Sequence, residues 1–333
     1  MSKIYSFFLT LVFVVAVLFA PVQAQADQAD FRAFVEQVAA EVEAQGMDPE
    51  LFYRALGEIR LDEDAQESIS NQPESVYSFQ RYFGSMVSNT RINKGVELYG
   101  EHRETLERIA NEYGVPADAI VAMWGVESFY GRWQGNHRVV RALTTLAYDS
   151  HRKEFFKREL MAAIKILSEG HISPEDMLGS WAGAMGQCQF MPTSFLAYAK
   201  DGNGDGKIDI WNAPADVMAS AANYLKRHGW QTGKDWGERI VLTQNLPAID
   251  MSSRGLSDEP KTIAQWREIG IVAVDGNLPS DDTKAWLFMP EGPSKRSYLV
   301  YKNFHVVMSW NYSSHFAFSA LSLSDRIAQR QGS

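Results

Sequence analysis

Only one cysteine, Cys188, stands in the 333 residues, so no intramolecular disulfide can form and the hydrophobic core must hold the fold. Basic residues are also short: 32 Lys and Arg face 41 Asp and Glu, a net charge of −9. Such a balance is not built to neutralise phosphates, which removes nucleic acid from the expected partners. An apolar run of spanning length occurs once, at the N-terminus, so a multi-span membrane architecture is excluded. No internal repeat and no Pro-Gly-Ser linker divides the chain. What the sequence does have is 45% hydrophobic residues, with 9 Trp, 13 Tyr and 18 Phe. Those aromatics can fill a core or line a groove with flat faces for sugar rings, and composition does not choose between the two.

The N-terminus reads as Lys3, an apolar run from Ile4 to Ala20, and then Pro21-Val22-Gln23-Ala24. This is the order of a secretory signal, with cleavage expected after Ala24. The alternative is an uncleaved membrane anchor. No cysteine lies near the segment to carry a lipid. The expectation is a protein of the periplasm, soluble after cleavage and not a lipoprotein.

Beyond the signal, Phe31, Phe34, Val35, Val38 and Val42 recur at helical spacing, with Gly46 and Pro49 as punctuation. Helical patterning continues through Leu51–Ile59, Val76–Tyr82 and Asn89–Tyr113. From Val115 to Lys226 the pattern stays helix-rich but is broken by glycine-dense loops. After Trp236 short β-like runs appear, such as Ile240-Val241-Leu242 and Tyr298-Leu299-Val300-Tyr301, and Asn303–Asn311 alternates roughly as a strand. A last helix is capped by Ser313 or Ser314. These textures predict a mainly α (α+β) protein divided as 1–24 signal, 25–114 N-terminal helical portion, 115–235 core, and 236–333 small β portion with a closing helix.

Between Pro116 and Gly131 the spacing predicts a helix on which Glu127 follows Ile120, Met123 and Trp124 by seven, four and three residues. That places a carboxyl on an apolar stripe. Desolvation there would raise its pKa and let it hold a proton for transfer near neutral pH. A glutamate fraying into water at a helix end is the bland alternative. The stretch from Gly179 to Thr193 packs three glycines (Gly179, Gly183, Gly186), two amides and a hydroxyl together, a loop that lets backbone approach an uncharged polar polymer closely. It reads equally as a tight turn before the helix that Pro192 opens.

These blocks together resemble a known family, the B-type lytic murein transglycosylases, glycoside-hydrolase-like enzymes of peptidoglycan. The resemblance rests on Trp124-Gly-Val-Glu127-Ser-Phe-Tyr-Gly131, on Ala142–Asp149 with Arg152 and Phe155-Phe156, and on Ser180–Pro192. Asn223–Trp230, Asn303-Phe304, Asn71–Glu74 and Arg91–Gly95 extend it to roughly residues 28–330. It implies a lysozyme-like catalytic core with one catalytic glutamate, Glu127, that cleaves the bond between N-acetylmuramic acid and N-acetylglucosamine and closes a 1,6-anhydro ring. A hydrolytic muramidase and an inactive peptidoglycan-binding scaffold are the rival readings. By the same resemblance Ser180, Gln189, Tyr224, Arg152, Asn303 and Trp310 are substrate-binding residues. Two departures stand out: Trp310 occupies a position where relatives often carry tyrosine, and the amide pair flanking Cys188, Gln187 and Gln189, departs from the common tyrosine-glycine version of that loop. The expected partners are peptidoglycan glycan strands and, as a class, wall-synthesis enzymes; the protein is expected to be a monomer.

Asp201-Gly-Asn203-Gly-Asp205-Gly-Lys207-Ile-Asp209 reproduces the first nine positions of an EF-hand loop, with Asn212 where the bidentate glutamate should be. A structural Ca2+ is expected, held by Asp201, Asn203, Asp205 and the Lys207 carbonyl. Similar transglycosylases close the loop with a later aspartate, for which Asp216 stands here. An Asx-rich turn without an ion is the alternative. No organic cofactor is expected. Cys188 lacks ordered His and Asn partners, and the histidines show no zinc spacing. Lys153, Lys157 and Arg158 read as a solvated helix face.

Overall fold

The computed structural model describes residues 28–70, 78–243, 249–275, 278–292 and 295–332. The signal segment, Asn71–Glu74 and the start of the Val76–Tyr82 pattern lie outside the described residues. In chain order the helices are α1 (28–44), α2 (Pro49–Leu56), α3 (Glu63–Ser70), α4 (Phe79–Met86), α5 (Asn89–Glu101), α6 (Arg103–Tyr113), α7 (Ala117–Ser128), α8 (Val139–Tyr148) and α9 (Lys153–Ser168). They continue with α10 (Pro192–Tyr198), α11 (Pro214–Arg227), α12 (Ile263–Glu268), α13 (Lys302–Trp310) and α14 (Ser314–Gln331). The strands are β1 (His137–Arg138), β2 (Leu178–Gly179), β3 (Gly237–Leu242), β4 (Lys261–Thr262), β5 (Ile271–Ala273), β6 (Lys284–Phe288) and β7 (Ser297–Val300). The chain is mostly helical, as its patterning predicts.

Two compact units form, and they interleave along the sequence. The first takes the described residues of Met1–Gln72 with Gly135–Met185 and Phe190–Leu196; the second takes those of Pro73–Gln134, Gly186–Gln189 and Ala197–Ser333. Boundaries expected at 114 and 235 follow changes of texture. Compactness instead follows which faces bury one another, and the chain crosses between units several times.

In the first unit α1 buries Phe31, Val35, Val38 and Val42 completely, each worth about 1.5–3 kcal/mol of transfer free energy. Asp48 caps α2 by accepting from Glu50 N, Pro49 opens it, and Gly57 closes it. Helix α9 carries Glu159, 1% exposed, whose carboxylate accepts from the N–H and the hydroxyl of Thr193, both at 2.9 Å. That buried charge is satisfied by the first turn of α10, where the helix dipole favours it. Lys157, expected in solvent, instead pairs with Glu41 at 2.7 Å.

In the second unit five strands pair antiparallel in the order β4-β6-β7-β3-β5. Ile240, Ile263, Trp266, Ile271, Leu287, Leu299 and Tyr301 pack as one apolar cluster of this region. The 303–311 stretch is helix α13, not a strand. Its buried residues Asn303, Phe304, Val306, Val307 and Met308 satisfy a helical face as well as an alternation, and a short apolar run cannot be assigned by periodicity alone. The 89–113 pattern is two helices broken at His102, and Ser313 caps α14 through Phe316 N.

Candidate active site

Helix α7 begins after Pro116 and is buried on all sides: Ala117, Ala119 through Val126 and Ser128 are all covered. It has no single apolar stripe, so the expected geometry understates its burial. Asp118 and Glu127 are its only residues that reach the surface in part. Glu127 sits half-buried in the last turn. The helix does not run to Gly131; it stops at Phe129, and Phe129 (φ 50°), Tyr130 (φ 59°) and Gly131 (φ 84°) follow one another in the left-handed region. For side-chain-bearing residues this backbone is strained, at about 1–3 kcal/mol each, and persists only when the surroundings over-determine it.

The surroundings are a buried hydrogen-bond network. The Ser128 hydroxyl donates to Gln187 O at 2.8 Å and accepts from Gly131 N at 2.9 Å. Gln187 Oε1 accepts from Trp124 Nε1 at 2.7 Å, its Nε2 donates to Trp211 O at 2.8 Å, and its own N–H donates to Ile210 O at 2.8 Å. A Cβ on Gly131 would collide with the Gln187 amide, and one on Gly186 (φ 61°) with Ile210 O. Glycine is required at both. Gln189 (φ 49°) is the third non-glycine residue in the left-handed region among those described. Its amide donates to Gln134 O at 3.0 Å and to Gly186 O at 2.8 Å.

Tyr224 on α11 is 7% exposed and donates to Ser309 O at 2.6 Å. Its ring stacks on His228 with centroids 4.0 Å apart and lies 4.6 Å from Trp310. Burial, Tyr198 and the negative charge of Glu127 push the Tyr224 hydroxyl pKa well up, so it stays protonated. Burial chiefly, then Glu127 and Asp216, raise the Cys188 thiol; a fully covered thiol that donates toward Val217 O is no nucleophile. Ser180 and Arg152 belong to the first unit. The Ser180 hydroxyl accepts from Ala184 N at 3.0 Å, pinching its own loop, and exposed Arg152 lies over the Phe155 ring at 4.1 Å.

Asn303 departs from its expected role. It is 1% exposed, and its amide accepts from Gln231 N and donates to Gln231 O and Lys234 O. The side chain holds the 231–234 turn rather than facing a ligand, because a buried amide must be satisfied locally. Spacing alone missed Gln187, Ser128 and Trp211. The local signal for the first was an amide inside a glycine-rich segment; nothing local pointed to Trp211.

The 201–216 loop is built from the predicted donors. Asp201 accepts from Gly204 N at 2.6 Å and Gly206 N at 2.8 Å, and these N–H groups hold its pKa below the usual carboxylate range. Asn203 Oδ1 accepts from Asp205 N, and Asp205 from Lys207 N. Asp216, fully buried, accepts from Gly202 N at 2.9 Å and Asp209 N at 2.6 Å and so joins both ends of the loop. An all-oxygen donor set suits Ca2+. Among the described residues, however, the cluster whose ligand atoms come within 4.8 Å of one another is Asp62, Asp64 and His137 in the first unit. Asp62 there caps Ala65 N, and the same cavity of about 480 Å³ sets Arg60, Arg138 and Arg141 beside Asp62, Glu63 and Asp64, so its three acids already face three guanidinium groups.

The family model of the transglycosylase SLT domain matches residues 30–325. Membrane-bound lytic murein transglycosylase B of Escherichia coli K12 is 31% identical over 251 residues, 74% of this chain and 67% of its own length. SltB3 of Pseudomonas aeruginosa, solved in complex with NAG-anhNAM-pentapeptide, superposes with a TM-score of 0.82 at 37% identity, covering 90% of this chain and 79% of that one. The Escherichia coli lytic transglycosylase Slt35, solved with calcium, does so with 0.77 at 27% identity, covering 90% and 94%. On this evidence the strained, network-locked end of α7 sits in a lysozyme-like fold, and the chain belongs to the SLT family of lytic transglycosylases.

Proposed function

We propose that this protein cleaves the N-acetylmuramic acid–β-1,4–N-acetylglucosamine bond of peptidoglycan with Glu127 as single acid and base, leaving 1,6-anhydromuramyl ends. The observation that carries the reading is that the three non-glycine residues in the left-handed region among those described, Phe129, Tyr130 and Gln189, flank Glu127 and the segment locked against it. Strain of this kind gathers at active sites. Glu127 protonates the glycosidic oxygen as an oxocarbenium-like centre develops at C1, and the breaking bond's electron pair leaves as the free hydroxyl of N-acetylglucosamine. The muramyl acetamido group stabilises that centre from within the substrate, so no second carboxylate is needed. Glu127, now anionic, takes the proton of the same sugar's C6 hydroxyl, which bonds to C1. No water enters the product.

Gln189 then positions the glycan, while Tyr224 and Trp310 supply the aromatic wall. Arg152 meets a carboxylate of the substrate. Ca2+, held by Asp201, Asn203, Asp205 and the Lys207 carbonyl with Asp216 behind them, stiffens the loop that leads into Ile210 and Trp211, and through them Gln187. It takes no part in the chemistry. The enzyme works in the periplasm after loss of residues 1–24, as a monomer on glycan strands, among wall-synthesis enzymes. The test is digestion of purified sacculi with product masses: muropeptides one water lighter than hydrolysis products are expected. Hydrated products would make it a muramidase, and no products a scaffold.

A further inference from the structure

Aromatic side chains of this protein are largely covered by their neighbours. Among the described residues the rings that face mainly water are those of Trp133, 65% exposed, and Tyr312, 72% exposed. Both belong to the second unit, and both are joined to the site described above. Trp133 lies six residues after Glu127, and its N–H donates to Ser128 O at 2.8 Å, so its backbone is tied to the residue that follows the carboxyl. Beside it, Gln134 donates to Gly131 O at 3.1 Å and Trp211 O at 3.2 Å, and accepts from the Gln189 amide at 3.0 Å. Tyr312 lies two residues after Trp310, whose ring is 4.6 Å from that of Tyr224.

The two rings are mounted alike. The Arg132 guanidinium lies 5.1 Å from the centre of the Trp133 ring, and that of Arg254 lies 3.9 Å from the centre of the Tyr312 ring. Arg254 is itself fixed: its Nε donates to Tyr312 O at 3.4 Å, and its carbonyl accepts the Ser314 hydroxyl at 2.7 Å. A cation over one face steadies a ring and leaves the opposite face to solvent. One exposed aromatic needs no ligand to explain it. Two, both on the supports of one site and both backed by arginine, point to a shared use. The free face selects the occupant, because a pyranose offers a sheet of C–H groups to a flat ring and hydroxyl and acetamido oxygens to the polar groups around it. A lipid tail or an apolar protein surface would need a contiguous apolar patch, whereas the chain neighbours Arg132, Gln134, Asn311 and Ser313 are polar. Rings this exposed also lie outside any water-poor pocket for proton transfer, so the sugars they meet are not the two joined by the cleaved bond.

We infer that Trp133 and Tyr312 are specificity-determining residues that hold sugar rings of the glycan strand beyond the two at the cleaved bond, so that the enzyme acts best on long strands. The inference rests on the proposed cleavage of peptidoglycan and adds a length requirement to it. Tyr224 and Trp310 then form the inner part of the aromatic wall, and the two exposed rings extend it outward.

The test compares kcat/KM for peptide-free glycan strands of about eight disaccharides with that for strands of about two, with products identified by mass. The unmodified protein is expected to favour the long strand by about tenfold or more. Trp133→Ala and Tyr312→Ala should each cut that ratio by about threefold or more, and the double variant should bring it close to one, through KM on the long strand and with Tm unchanged. Trp133→Phe, which keeps a flat ring, should retain most of the preference. A ratio near one in the unmodified protein, equal losses on both lengths, or an unaltered ratio in the double variant would overturn the inference. Anhydro products released at rates independent of length defeat this inference alone, whereas absence of anhydro products from strands of either length defeats the reaction on which it rests.

Discussion

The C-terminal end of α7 and the 201–216 loop are both glycine-rich turns of the second unit, and they are held by opposite means. At the end of α7 the ties are buried side chains distant in sequence: Trp124 and Ser128 reach Gln187, which reaches Trp211. In the 201–216 loop most ties run from exposed carboxylates and an amide to backbone two to five residues away. Only Asp216 is buried and long-range. The first turn therefore needs the whole unit to fold, while the second nearly specifies itself. A catalytic carboxyl belongs on the first kind of support, because its position must not depend on ion supply.

This contrast can be broken at graded points. Asp216→Ala removes the one buried tie of the loop and leaves two N–H groups without their acceptor, so we expect a loss of about 4 kcal/mol in urea unfolding; a loss below about 1 kcal/mol would mean the loop holds itself entirely. His305 marks a third way of treating a polar group. Its Nε2 is buried without a partner among the described residues, and burial first, then Lys302, lowers its pKa to about 4. A depressed histidine favours the fold fully above about pH 6.5, and that contribution fades as pH falls toward 4, by at most about 3 kcal/mol. His305→Leu should flatten the stability profile across that window, and an unchanged slope would contradict the assignment.

Gln187→Ala strands the Trp124 indole and Trp211 carbonyl. It should cost about 2 kcal/mol and lower kcat about tenfold with little change in KM; an equal rise in KM would make Gln187 a substrate contact instead. The smallest effect is expected from EDTA, a drop of a few degrees in Tm, or about 1 kcal/mol, with cleavage retained well below the melting range. No shift would remove calcium from the account.

How much of this was legible in the sequence follows the same division. The loop could be read residue by residue because its donors and turn glycines are local. Glu127 was singled out through the blocks around it, but the all-round burial of α7 was not legible, since an apolar helix with two charged residues imitates one face of an amphipathic one. Asn303 looked like a binding residue until the turn it holds, seventy residues away in sequence, was in view. Helix α13 imitated a strand because Val306, Val307 and Met308 fit both periods. The interleaved units had no local signal at all: crossings at Gln134 and Met185 depend on which surfaces bury one another, and that is decided only in three dimensions.

The central claim is that one carboxyl does the chemistry. Glu127→Gln keeps the size and the hydrogen-bonding reach of the side chain while removing its proton, and the measurement is release of anhydromuropeptides from sacculi by the folded variant beside the unmodified protein. A fall of about 10² to 10⁴ with undiminished binding to sacculi is the predicted result; anhydro products formed at the original rate would contradict it.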